Sequence, residues 1–131
     1  MSDARAAARA RGNAMKTRLL AELSWVDLPG AADMLGSTTA QVEQYLEHGD
    51  LIGVKSEGRT LIPTLLMPGG RIFPGLGKVV RAMELESPWL RLMWLITPND
   101  RLRGRSPLEA LESDADEVVW AARGVGVQGG A

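Results

Sequence analysis

The sequence predicts a mainly α-helical protein with one small β-hairpin, and three observations support this. Two short segments before residue 50 each start at a capping residue and stop at a glycine: Asp27 to Gly36, and Ser37 to Gly49. Between residues 52 and 63, two β-favouring runs flank Ser56-Glu57-Gly58, the composition of a hairpin. Further along, Ser87-Pro88 and Ser106-Pro107 each combine an N-cap with a proline at the first helical position.

A chain of 131 residues holds one domain or two very small ones. The absence of cysteine excludes disulfides, thiolate metal sites and cysteine nucleophiles, and fits a reducing cytosol. No apolar run approaches the ~20 residues needed to span a membrane. The N-terminus lacks the apolar core of a signal peptide, so a cytoplasmic protein without membrane contact is expected. The net charge of −1 hides alternating blocks. Residues 1–20 carry five basic and one acidic side chain, 21–70 two and seven, 71–105 seven and three, and 106–131 one and five. Such blocks suit inter-subunit complementarity as well as nucleic acid.

Residues 1–12 are mostly Ala, Arg and Gly and read as a flexible basic tail, either disordered or a frayed helix. Arg5, Arg9 and Arg11 can follow a DNA backbone or lie in a minor groove, or simply stay solvated. A helix is expected over 13–24, using Met15, Leu19, Leu20 and Leu23. Asp27 caps the next helix, which Gly36 breaks. Ser37 caps a third, from about Thr38 to His48, which Gly49 ends. Ala31 and Ala32 are small enough to let the two helices cross closely, which makes a helix-turn-helix. With the hairpin as its wing, residues 13–66 form a winged-helix-like domain, and 27–63 resemble the small winged helices of the MerR and excisionase type.

If this domain binds DNA, the third helix enters the major groove. Thr38, Thr39, Gln41 and Gln44 are its polar probes, with Lys55 and Arg59 of the wing on phosphates. Electrostatics opposes this, because the helix carries Glu43 and Glu47 and no lysine or arginine. A structural or protein-binding helix pair is the alternative.

Residues 67–74 form a joint around the Pro68-Gly69-Gly70 turn. A helical unit follows over 75–125. Its Trp89–Ile96 helix has only Arg91 as a polar residue, so it is either central or covered by a partner. Pro98 stops that helix at Thr97. A loop with Arg101, Arg103 and Arg105 leads to Ser106, whose capping box closes on Glu109. Ser113 is expected to cap the last helix, with Trp120 off its apolar side. Residues 126–131 read as a second flexible tail. No catalytic set is visible: His48 is the only histidine, so no enzyme, metal site or cofactor is expected.

The string Trp94-Leu95, Pro98-Asn99, Leu102, Gly104, Ser106-Pro107-Leu108-Glu109 and Leu111, before an acidic-capped helix, resembles the toxin-binding domain of the Xre/MbcA/ParS antitoxins. The resemblance covers roughly residues 75–125. It implies a small helical toxin-binding domain and the antitoxin of a type II toxin-antitoxin system. Such a protein neutralises a partner toxin, most often of the NAD-consuming RES type, and represses its own operator DNA as a homodimer or larger complex. The implied toxin-binding or dimer residues are Trp89, Met93, Trp94, Asn99, Arg101, Leu102, Arg103, Arg105, Trp120 and Arg123. In that family the C-terminus can reach into the toxin, a role that falls here on Gly124–Ala131. The alternative function is an orphan DNA-binding transcriptional regulator or localisation factor without a toxin.

Overall fold

The computed structural model describes residues 2–125; the expected tail at 126–131 lies outside them. The described residues form seven α-helices and a three-stranded antiparallel sheet in the order β1-β3-β2.

Helix α1 runs unbroken from Ser2 to Glu22, so the expected break between a flexible tail to residue 12 and a helix from 13 is not there. Alanine and arginine are strong helix formers, and their summed propensity carries the helix through a stretch with no core to bury. Residues 3–11 are all exposed. This half of α1 extends about 14 Å at 1.5 Å per residue. Only the C-terminal half is anchored, through the buried Leu19.

The Trp25 indole N–H donates to the Leu19 carbonyl at 3.3 Å and turns the chain into β1, Trp25–Val26. A two-residue strand has no periodicity to read and was not expected. It pairs with β3, Trp25 opposite Pro63 and Val26 opposite Ile62. Helix α2, Leu28–Leu35, starts as expected, with Asp27 accepting from the Gly30 N–H at 2.9 Å, and ends on left-handed Gly36. Helix α3 spans Thr39–His48. Its cap is Thr38 rather than Ser37: the Thr38 hydroxyl accepts from the Gln41 N–H at 3.1 Å. The cap shifts by one because the Ser37 N–H is still bound to the Ala32 carbonyl in the turn that closes α2.

The wing is β2, Val54–Ser56, and β3, Arg59–Pro63, in the register Val54 to Leu61. Glu57 (φ 51°) and Gly58 (φ 77°) are both left-handed, the geometry of a two-residue turn that matches strand twist. The joint at 67–74 is packed, not a loose linker. Met67 and Phe73 are buried, and the Phe73 N–H donates to the Leu66 carbonyl at 2.8 Å. A Cβ on Gly70 would lie 2.8 Å from the Met34 carbonyl, so this glycine lets the joint close onto α2.

The second half holds α4 (Leu76–Ala82), α5 (Pro88–Ile96), α6 (Pro107–Leu111) and α7 (Ala115–Ala122). Helix α5 starts at the Ser87 cap and gives way to extended backbone at Thr97. Helix α7 is capped by Asp114, which accepts from the Glu117 N–H at 3.1 Å, and not by Ser113. Ser113 still belongs to the turn closing α6, its N–H bound to the Ala110 carbonyl. One buried cluster runs through both halves, from Leu19, Val42 and Ile62 to Leu76, Leu95 and Val118. Among the described residues no helix is long and apolar enough to cross a membrane.

The expected capping box is present: the Ser106 hydroxyl accepts from the Glu109 N–H at 3.2 Å, and the Glu109 carboxylate accepts from the Ser106 N–H at 3.0 Å. These contacts with the Ser106 backbone and hydroxyl, with the nearby Arg105 charge, hold the Glu109 carboxyl below its ordinary value. A lowered folded pKa gives stability that is fully present above the ordinary carboxylate range and fades as pH falls through the folded value. Glu109→Gln should therefore be less stable than the wild type at neutral pH. The two thermal midpoints should converge on acidification, which a pH series of melting curves would check.

Candidate nucleic-acid interface

Helices α2 and α3 cross tightly because Ala31 and Ala32 are buried at their contact and Val42 faces inward. This leaves Thr39, Ala40, Glu43, Gln44, Glu47 and His48 on the exposed face of α3. Of the expected polar probes, Thr39 and Gln44 lie on that face. Thr38 is exposed, but its hydroxyl is used as a cap. Gln41 is half-buried. The two carboxylates therefore share the outward face with only two of the neutral probes.

No lysine or arginine lies on this face; exposed positive charge is found on the wing and on α1. Lys55 and Arg59 are exposed on the wing. Arg59 lies 4.0 Å from Asp27, an exposed pair worth little and easily given up to a phosphate. Arg5, Arg9 and Arg11 are all exposed on the projecting half of α1. Arg5 and Arg9, four residues apart, share one side of that helix, while Arg11 points elsewhere.

A contact that sequence reasoning missed holds α3 in place. The Arg81 guanidinium of α4 donates to the Asp50 carboxylate at 2.8 Å and to the His48 carbonyl at 3.3 Å. It thus ties the C-terminal end of α3 to the second half of the protein. No local pattern marks a pair 31 residues apart.

The residues expected to face a toxin or a second copy fall into four groups. Trp89 and Leu102 are buried and can face neither. Trp89 packs against Trp25, with ring centroids 6.1 Å apart, and Lys16 sits 5.7 Å above its ring. Asn99 and Arg105 are tied down inside the loop. The Asn99 side chain accepts from the Arg101 N–H at 2.9 Å. Arg105 donates to the Leu102 carbonyl and the Ser113 hydroxyl, both at 3.0 Å, and lies 3.8 Å from Glu117. It is a strut between the loop and α7 rather than a free cation. Arg101, Arg103, Trp120 and Arg123 are exposed, with Arg101 5.7 Å from the Trp120 ring, while Met93 and Trp94 are half-buried.

Residues 13–67 match the family model of the DNA-binding protein Rv2175c, wHTH domain. The arrangement of α2, α3 and the wing is thus a winged helix-turn-helix. The chain is similar to the DNA-binding protein Rv2175c of Mycobacterium tuberculosis (strain ATCC 25618 / H37Rv), 27% identical over 113 residues, covering 74% of this chain and 77% of the relative. The NMR structure of Rv2175c superposes with a TM-score of 0.60 at 25% identity, covering 78% of this chain and 80% of that one. The likeness therefore extends past the matched segment into the helical half.

Proposed function

We propose that the protein is a DNA-binding regulator that takes most of its affinity from phosphate contacts around an acidic reading helix. The observation that carries this reading is the match of residues 13–67 to the winged helix-turn-helix of a DNA-binding protein. Helix α3 presents Thr39 and Gln44 to the major groove. Lys55 and Arg59 of the wing, with Arg5, Arg9 and Arg11 of α1, neutralise phosphates. Glu43 and Glu47 weaken non-specific binding, so the protein would hold DNA only where base contacts offset their repulsion. Such a regulator works in the cytoplasm and can act on its own operator.

Fluorescence anisotropy with duplex DNA over a salt series tests this. Affinity should fall steeply with salt, and Glu43→Gln with Glu47→Gln should raise non-specific affinity about fivefold, from two removed like charges several ångströms from phosphate. An affinity independent of salt, or no binding at low salt, would reject the reading.

A second reading, toxin neutralisation, draws support from one feature. Trp120 is 59% exposed beside Arg101, and tryptophan and arginine are the residue types that anchor protein interfaces. A stoichiometric complex with a RES-type toxin, lost in Trp120→Ala, would support it. The matched relative is described by its DNA binding, which favours the regulator.

A further inference from the structure

We propose that Glu43 and Glu47 of α3 read cytosine in the major groove, so that the DNA this protein holds carries two cytosines about two base steps apart. The two glutamates are costly where they stand. They are four residues apart on one side of the helix, and like charges at that spacing work against it. Glu47 also lies in the last turn, where the helix dipole disfavours a negative charge. Both are exposed, and among the described residues neither has a salt-bridge partner. No ion pair offsets the cost, and a local rule broken without compensation is expected at functional positions.

Chemistry names the partner. An ionised carboxylate accepts hydrogen bonds and donates none, so it needs a donor on the base it meets. Guanine and thymine offer only acceptors to the major groove, and adenine sets its N7 acceptor beside its N6 donor. Cytosine alone presents a donor, its N4 amino group, with no acceptor on the same base. Two carboxylates thus favour cytosine and repel guanine and thymine, giving specificity by rejection as well as by attraction.

Placement allows both contacts. At about 1.5 Å of rise per residue, the two glutamates stand about 6 Å apart along α3, close to two base steps of about 3.4 Å each. They line a cleft of about 370 Å³ between α3 and the wing, to which Lys55 and Thr60 also contribute. A phosphate held by Lys55 offsets part of the repulsion between the carboxylates and the DNA backbone.

This inference rests on the DNA-binding reading, and the experiment separates the two. Duplexes selected by the full chain from a randomised pool at low salt should be enriched in two cytosines at this spacing. Changing either C·G pair to T·A should weaken binding of the wild type at least about fivefold, the low end for one base contact. Glu43→Ala should lose the preference at one of the two positions and Glu47→Ala at the other, with discrimination there falling below about twofold. Each variant should also bind every sequence more tightly through the lost like charge, so the readout is the ratio between matched and changed duplexes. Both residues are exposed, so the melting curves should stay that of the wild type. Binding without a cytosine preference, or a preference that both variants keep, would overturn the inference and leave the DNA-binding reading standing. No binding to any duplex at low salt would overturn both.

Discussion

Replacing Arg5, Arg9 and Arg11 together with alanine should cut DNA affinity between about tenfold and several hundredfold near 0.1 M salt. The range follows from counterion release. Each phosphate neutralised adds about 0.9 to the slope of log affinity against log salt, so three lost contacts should flatten that slope by about 2.7. The low end applies if only one of the three arginines touches a phosphate; Arg5 and Arg9 alone, on the side that Arg11 does not share, would give about sixtyfold. Melting should change little, because residues 3–11 are exposed and the substituted alanines keep the helix propensity. Anisotropy titrations at several salt concentrations would read both affinity and slope. An unchanged slope would remove α1 from the interface and leave the wing as the source of phosphate contacts.

Trp89→Ala should cost about 3–5 kcal/mol of folding stability, the usual penalty for emptying a buried aromatic site. Trp89 lies where α1, β1 and α5 meet, beside Trp25 and under Lys16. Its loss leaves a cavity lined by elements from both halves of the chain, which cannot easily collapse together. Domains of this size are typically stable by only about 5–15 kcal/mol, so a large share of the total is at stake. Trp120→Ala should change stability by no more than about 0.5 kcal/mol, since that ring is 59% exposed. Urea unfolding of the two variants would separate them. Equal effects would contradict the burial difference between two residues that sequence analysis placed in the same partner-facing set.

What could be read from the sequence was mostly local. Asp27, Ser87 and Ser106 cap their helices where expected, because an N-cap bonds an N–H only two or three residues away. Gly36 and Gly49 end α2 and α3 for an equally short-range reason, the left-handed conformation that glycine adopts freely. The β-favouring runs before and after Ser56-Glu57-Gly58 marked the wing. Even the misplaced caps, Ser37 for Thr38 and Ser113 for Asp114, missed by one residue between neighbours with similar side-chain acceptors.

The candidate sites were less legible, because their geometry depends on distant residues. Composition sets Trp89 and Trp120 alike, yet one is packed against Trp25, 64 positions away, and the other lies in solvent. Arg101, Arg103 and Arg105 look equivalent in a loop, but only Arg105 has Ser113 and Glu117 within reach. Strand β1 exists because β3 offers it an edge, and Arg81 matters because folding brings Asp50 beside it. The sequence alone determined where α2, α5 and α6 begin and where α2 and α3 end, since capping and turn geometry act within about four residues. Only the tertiary structure decided which tryptophans and arginines are free to meet a partner, because burial is set by packing between segments far apart in the chain.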